Sequence, residues 1–259
     1  MTAQTMPFGR LAIAFLFVLG LKSPIFGQNV PLRALDNWMW HNENGWIEIE
    51  KRRYDRAEQH FKMAIKAVEA YAPANRKLMA RSYCDLARVL YYQERYADAE
   101  PLAKWALSVR DADKKASPDA VFQSLFTLAS IHLAQEHWAD AEPHLKRALA
   151  IQEKELTGGH VNVLLTLDRL AFVLRSQGKY LEAEPLYLRA IAIHERKTPD
   201  ENLDLADTID QYVILLRKLN RKKDAEIWQA RALTIRDTAA TMSARAKIDR
   251  VKKELRGFK

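Results

Sequence analysis

The sequence predicts an all-α protein built as a solenoid of five helical hairpins, and three observations predict it. An Ala-Glu phrase, extended to Ala-Glu-Pro in the three middle units, recurs every 42 residues without insertion or deletion, at Ala57, Ala99, Ala141, Ala183 and Ala225. A second alanine follows each of these after seven residues, at Ala64, Ala106, Ala148, Ala190 and Ala232. Apolar residues within each unit follow helical spacing. A fixed period of this size is typical of arrays whose units bury their apolar faces against their neighbours.

Each unit is predicted to be a pair of amphipathic helices. In the third unit, Val121, Leu125 and Leu128 precede a break at residues 136–137, and Leu145 follows it in the same three-and-four spacing. Because proline is tolerated in the first turn of a helix, the prolines of the phrase predict second helices that begin near residues 97, 139 and 181. The alanine pairs allow the two helices to approach closely. Larger residues are expected to complete the core: Leu86, Leu128, Leu170, Tyr212, Ile65, Leu107, Leu149, Ile191 and Leu233.

This pattern resembles the tetratricopeptide repeat. The 42-residue spacing and the segment from Gln177 to Tyr187 resemble the kinesin-light-chain subclass of that family. The resemblance covers roughly Asp36 to Arg236 and implies a right-handed α-solenoid whose concave face is lined by the first helix of each unit. His132 is a polar residue at a position where the family pattern is aromatic.

The sequence divides into segments of different composition. Arg10, an apolar run over residues 11–21 and a small residue at Gly27 predict a secretory signal peptide and export to the periplasm or the exterior. An uncleaved amino-terminal anchor is the alternative. The expected order is a signal peptide over 1–27, a leader over 28–35, repeats over 36–75, 76–117, 118–159, 160–201 and 202–237, and a basic capping helix and tail over 238–259.

The charge of the chain is concentrated at its ends. The formal net charge is +8, yet residues 245–259 carry seven basic and two acidic side chains, which leaves about +1 for residues 28–244. The basic balance is therefore weak evidence for a nucleic-acid groove. Ile248, Val251 and Leu255 lie on one stripe of the expected terminal helix. This helix is interpreted as a cap, with docking on an anionic lipid surface, a nucleic acid or an acidic partner as the alternative.

The resemblance implies a partner-binding groove on the first helices. The candidate partner-binding residues combine aromatic, apolar and charged side chains: Trp46, Arg81, Arg88, Tyr91, Phe126, Asp168, Phe172, Arg175, Ile214 and Arg217. They favour an extended or helical peptide with apolar anchors and carboxylates. The family's carboxylate clamp is not supported, because its positions hold Asn42, Trp46, Arg81 and Asp85. Trp46 also belongs, with Trp38 and Trp40, to an aromatic cluster that is interpreted either as an end cap or as a binding platform.

The sequence predicts neither an enzyme nor a cofactor-binding protein. Cys84 is the single cysteine and is placed as a small residue of the groove, without an evident catalytic partner. His137, Asp140 and His144 come closest to a metal-ligand pattern, but the His-Glu-x-x-His and His-x-x-Glu-His patterns are absent. These residues are therefore interpreted as polar residues of the surface, and no metal site is expected. We expect a non-enzymatic scaffold that binds a protein or peptide partner.

Overall fold

A computed structural model describes residues 32–71, 73–155, 163–197 and 203–256 of the chain. The expected signal peptide and residues 28–31 of the expected leader lie outside the described residues, while residues 32–35 belong to the first helix. These residues form ten α-helices and no strand: α1 (Leu32–Glu50), α2 (Tyr54–Tyr71), α3 (Arg76–Tyr92), α4 (Tyr96–Ala112), α5 (Pro118–Ala134), α6 (Trp138–Glu155), α7 (Leu164–Ser176), α8 (Tyr180–Lys197), α9 (Leu203–Lys218) and α10 (Lys222–Arg256). Consecutive pairs form five hairpins, as the repeat predicts. The chain separates into two compact units, and the boundary lies within α3, between Ser82 and Tyr83.

The turn within each hairpin has the same backbone structure in all five repeats. Its middle residue has a left-handed conformation at positions 42 residues apart: Arg52 (φ 56), Glu94 (φ 61), Glu136 (φ 58), Gly178 (φ 77) and Asn220 (φ 59). In the second repeat, the Arg95 amide donates to the Leu90 carbonyl at 2.9 Å and the Glu94 amide donates to the Tyr91 carbonyl at 3.0 Å. This pair of bonds is a Schellman motif, which ends the first helix and turns the chain into the second.

The second helices begin where the sequence predicts, but the prediction that the prolines lie in the first turn is wrong. Helices α4, α6 and α8 start at Tyr96, Trp138 and Tyr180, within one residue of the prediction. The prolines, however, are the sixth residue of each helix rather than part of the first turn: Pro101, Pro143 and Pro185. Each proline is exposed, and so is the residue four positions before it, whose carbonyl loses its helical partner. The lost bond therefore faces solvent, where a carbonyl is readily hydrated.

The alanines of the repeat are the centre of the packing. All ten are buried, with at most 1% of their surface exposed. The larger core residues are buried as expected, with one correction: Leu233 on α10 is 54% exposed. Its equivalents on earlier helices, such as Leu149 and Ile191, are buried. No further hairpin among the described residues packs on α10, so this position remains uncovered.

The last helix differs from the expected boundary. The sequence placed the end of the fifth hairpin near Arg236 and a separate cap after it, but α10 is one helix of 35 residues from Lys222 to Arg256. Neither glycine nor proline occurs in this span, so nothing in the sequence stops the helix. The second helix of the last hairpin and the terminal basic segment are thus one element. Among the described residues, no helix combines the length and the hydrophobicity that crossing a membrane would require.

Candidate functional site

In the unit that ends at Ser82, the tryptophans have different roles. Trp38 is buried, and its indole nitrogen donates to the Ser82 hydroxyl at 2.8 Å. The Arg81 guanidinium lies 5.3 Å from the Trp38 ring centroid. Trp46 is partly buried and packs edge-on against Phe61 at 5.9 Å. Trp38 is therefore part of the core, while the candidates Trp46 and Arg81 keep accessible surface.

In the second unit, three first helices contribute to one basic, aromatic pocket of about 130 Å³, which we call the arginine pocket. Its walls come from α3, α5 and α7, the first helices of three successive hairpins. Its lining residues are Arg88, Tyr91, Tyr92, Gln123, Phe126, Thr127, Ser130 and Arg169. The structure thus brings the candidates Arg88, Tyr91 and Phe126 together.

Arg169 also lines this pocket, and the sequence analysis missed it. Its guanidinium lies 4.4 Å from the Phe126 ring centroid and donates to the Ser130 hydroxyl at 2.5 Å. Ser130 in turn donates to the Phe126 carbonyl at 2.7 Å, which fixes the hydroxyl. Nearby, Arg88 donates to the Gln123 amide oxygen at 3.2 Å. Arg169 could have been found from its spacing, since it lies one helical turn before Phe172 on the same face.

Within the described residues, no carboxylate forms an ion pair with Arg169. Burial lowers the pKa of Arg169, while the neighbouring Tyr91 and Tyr92 favour its charged form. A guanidinium keeps its charge even so, because its pKa is far above neutral. The pocket therefore contains a partly buried positive charge whose described contacts are an aromatic ring and a hydroxyl.

A second, larger pocket of about 460 Å³ is acidic. Asp168, Asp204 and Asp207 line it together with His194, Thr208, Gln211, Leu164 and Leu165. Burial raises the pKa of Asp168 to about 6; a weak hydrogen bond from Thr208 opposes this rise and the charge of Asp204 adds to it. Of the candidate residues, only Asp168 lines this pocket.

Phe172 and Arg175 pack within the array rather than lining either pocket. Phe172 packs edge-on against Trp138 at 5.4 Å, and the Arg175 guanidinium lies 5.2 Å from the Phe172 ring centroid. Arg175 also donates to Gln211 at 3.0 Å. On α9, Ile214 is 39% exposed, and Arg217 is exposed and donates to Gln229 at 2.6 Å.

Cys84 corrects the sequence analysis, because it is not a groove residue. The thiol is free and only 1% exposed. Its sulfur lies 3.7 Å from the Thr127 hydroxyl and 3.8 Å from the Ser124 hydroxyl, between α3 and α5. A small side chain is needed here for packing between hairpins.

Three histidines gather at the turn between α5 and α6. Ligand atoms of His132, His137 and Asp140 all lie within 4.8 Å of one another. The ring of His144 stacks on His132, with centroids 5.7 Å apart and an angle of 9° between the planes. The sequence analysis grouped His144 with His137 and Asp140. The structure places His132 in that group instead.

The sequence model of the tetratricopeptide repeat matches residues 36–112, 120–196 and 162–238, and a second model of the same repeat matches residues 84–155. These matches span most of the chain. The chain belongs to the tetratricopeptide repeat family. The comparison with curated proteins gives no match.

Solved structures share the fold of this tetratricopeptide array. A kinesin light chain-like protein of Podosopora anserina with nearly identical TPR-like repeats is 17% identical, with a TM-score of 0.67, and the match covers 79% of this chain and 96% of that one. The apo form of RapI is 14% identical, with a TM-score of 0.67 and coverage of 81% and 74%. YrrB, described as having an unusual peptide-binding site, is 16% identical, with a TM-score of 0.54 and coverage of 80% and 90%. Tetratricopeptide arrays of this kind are scaffolds for protein interaction.

Proposed function

We propose that this array binds a protein or peptide partner on the first helices of its hairpins, and that a carboxylate of the partner enters the arginine pocket. The observation that carries the proposal is Arg169. Its guanidinium is partly buried, lies against Phe126 and has no carboxylate partner among the described residues. A carboxylate from a partner would supply the missing counter-charge.

The chemistry of the pocket suits such a ligand. Stacking on a ring occupies one face of a guanidinium and leaves the edge, where the N–H groups point, for bidentate pairing with a carboxylate. Tyr91, Tyr92 and Phe126 provide an apolar wall. A pocket of about 130 Å³ holds one or two side chains rather than a folded surface. We therefore expect recognition of a short acidic and apolar segment.

One structural relative supports a peptide as the ligand: YrrB, which shares the fold, is described as having an unusual peptide-binding site. A Rap protein complexed with competence and sporulation factor also has this fold, with 18% identity, a TM-score of 0.58 and coverage of 79% of this chain and 55% of that one. The proposed role is that of a scaffold, and it includes no catalytic step.

The experiment is a binding screen of the purified mature protein against immobilised peptides that pair Asp or Glu with an aromatic or aliphatic residue. We expect Arg169→Gln and Arg88→Gln each to weaken binding of the best peptide by about tenfold or more, as loss of a charge-assisted pair does. The matched control is Arg147→Gln on α6, which removes an equal charge that pairs with Asp111 outside the pocket. Equal binding by Arg169→Gln and the wild type would reject the pocket.

Export is part of the same proposal. The charged residue, apolar run and small residue over positions 1–27 support a signal peptide and a periplasmic or extracellular array. Sequencing the amino terminus of the protein made in cells tests this. A mature chain that starts at Gln28 is expected, and an intact Met1 in the membrane fraction would favour the uncleaved anchor.

A second function is favoured by the continuity of α10. The helix runs 20 residues past Arg236, about 30 Å at helical rise, and this extension carries most of the basic residues of the terminus. A basic helix of this kind is suited to an anionic surface or a nucleic acid. Retention on anionic vesicles or duplex DNA that falls steeply with salt and is lost after deletion of residues 243–259 would support this alternative. Unchanged retention after the deletion would exclude it.

A further inference from the structure

Three histidines occur together in the third repeat, and no other repeat has a histidine at the positions of His132 and His137. The position of His132 holds Leu90, Leu174 and Leu216 in the other first helices of the second unit, and the position of His137 holds Arg95, Lys179 and Arg221. The position of His144 holds leucine in the two neighbouring repeats and histidine, His60, in the first. The structure brings the rings of His137 and His144 against the ring of His132.

His132 is costly as a structural residue. Its side chain is only 4% exposed, and its Nδ1 atom has no hydrogen-bond partner. A buried polar atom without a partner lowers the stability of the fold, and leucine would fill the same space without that loss. Burial lowers the pKa of His132 despite the nearby carboxylates of Glu100 and Asp140. The buried Nδ1 atom without a partner is the observation that points to a missing ligand at this ring.

The backbone holds the other ligands beside His132. The His137 amide donates to the His132 carbonyl at 2.8 Å, as part of the hairpin turn at Glu136. The Asp140 amide donates to the His137 carbonyl at 3.1 Å. These bonds fix three potential ligands within nine residues, on the end of one helix, a turn and the start of the next. Their ligand atoms are already within 4.8 Å of one another.

We propose that His132, His137 and Asp140 bind a divalent transition-metal ion, and that Zn²⁺ is the representative ion. Two imidazole nitrogens and one carboxylate oxygen form a ligand set that zinc accepts, with a fourth position left open. Ligand atoms around tetrahedral zinc lie about 3.3 Å apart, which follows from bond lengths of about 2.0–2.1 Å. His137 and Asp140 are exposed and can close this distance by side-chain rotation.

Two charged residues of α4, Glu100 and Lys104, lie near this site. Glu100 on α4 interacts electrostatically with both His132 and His137, and it is paired with Lys104. A carboxylate near ligating imidazoles orients them and adds negative charge. The ammonium of Lys104 opposes the cation, but its pairing with Glu100 offsets that effect. The metal would join α5 to α6 across their turn, independently of the arginine pocket.

The test is titration of the full mature chain, purified without a histidine tag, with Zn²⁺ and with Co²⁺ alone. We expect one ion per chain with a Kd in the micromolar range or below, and visible Co²⁺ absorption of the intensity that four-coordinate sites give. His132→Leu, His137→Lys and Asp140→Asn should each weaken binding at least tenfold. Leucine and lysine are the residues of neighbouring repeats at these positions, so both variants should fold.

The matched control is Asp98→Asn, because Asp98 is the equivalent of Asp140 in the second repeat. This variant should leave the affinity for Zn²⁺ unchanged. Without metal, His132→Leu should melt at or above the temperature of the wild type, while only the wild type should gain thermal stability from Zn²⁺. Absence of stoichiometric binding in the wild type would overturn the proposal. So would equal affinity of the wild type and a well-folded His132→Leu variant.

Discussion

The Lys179 ammonium donates a hydrogen bond to the Glu142 carboxylate at 2.6 Å, and this contact joins the second helix of the third hairpin to the turn of the fourth. The carboxylate also accepts from Gln177 at 2.9 Å and from Lys146 at 2.7 Å. Partial burial alone would raise the pKa of Glu142, but these bonds outweigh it and lower the pKa to about 2. One repeat later, Glu184 accepts from Arg221 at 2.5 Å. In the third and fourth repeats, the glutamate of the repeated phrase therefore links neighbouring hairpins.

Replacement of Glu142 by glutamine is predicted to destabilise the array. Glutamine keeps the shape of the side chain but loses the charge that accepts from Lys146 and Lys179, so we expect a loss of about 1–2 kcal/mol. Urea unfolding followed by circular dichroism measures the change. Since the pKa of Glu142 is lowered in the folded state, its contribution is present above about pH 4.5 and disappears as the pH falls toward 2.

The control for this prediction is Glu226→Gln. Glu226 is the same residue of the repeated phrase on α10, but it is exposed. We expect a change below about 0.5 kcal/mol, as for most exposed positions. A loss of equal size in both variants would show that Glu142 contributes only through its own helix.

The left-handed turn residues allow a stabilising substitution. Glu94 has a φ of 61°, where a Cβ atom costs about 1 kcal/mol, and Gly178 occupies the equivalent position without that cost. Glu94→Gly should therefore raise stability by about 0.5–1 kcal/mol, and Gly178→Ala should lower it by about 1 kcal/mol. Thermal melting of both variants tests the pair.

Glu94→Ala serves as the control, because alanine removes the carboxylate and keeps the Cβ atom. It should give no gain. If alanine and glycine stabilise the chain equally, the effect comes from the charge of Glu94 and not from its backbone conformation.

The sequence predicted the architecture well because the repeated residues are those that pack the helices together. Ala99 and Ala106 belong to a pair of alanines that recurs in every repeat, and both are fully buried. The close approach of the helices leaves no room for a larger residue at these positions. The pocket was harder to predict, because a long side chain reaches away from its own backbone position. Arg169 lines the arginine pocket, whereas Arg175, later on the same helix, contacts Phe172 and Gln211.

Ion pairs between repeats were also hard to predict from the sequence. Asp111 pairs with Arg147, Glu153 with Arg189 and Glu195 with Arg231, and each pair spans 36 residues. The partners recur at intervals of 42, so the signal was present, but the pairing depends on how hairpins stack. Similarly, no local pattern places His132 against His137, since that contact follows from the turn geometry.

Gly45 on α1 gives a prediction in which packing outweighs helix propensity. A Cβ atom at this position would lie 2.6 Å from the Phe61 ring, which is fully buried. Alanine favours a helix by about 1 kcal/mol over glycine, yet displacement of a buried ring costs about 1–3 kcal/mol. Gly45→Ala should therefore lower the melting temperature. The double variant Gly45→Ala with Phe61→Leu should recover part of the loss, and a stabilised single variant would contradict this packing.

The pH dependence of stability is predicted to carry a contribution from Asp168. Burial raises its pKa to about 6, above the unfolded value near 3.8, so the folded state binds a proton more tightly than the unfolded state. Stability from this residue is therefore highest below about pH 4, and it falls as the pH rises through 6. The difference between these two pKa values corresponds to an upper limit of about 3 kcal/mol. Asp168→Asn should stabilise the protein by about 1–3 kcal/mol at pH 7.5 and by little at pH 4.

The control for Asp168 is Asp204→Asn, at an exposed position of the same pocket, which should change stability less. The measurement is urea unfolding of the variants and the wild type between pH 4 and 8. If the difference in stability between Asp168→Asn and the wild type does not change with pH, the raised pKa of Asp168 is contradicted.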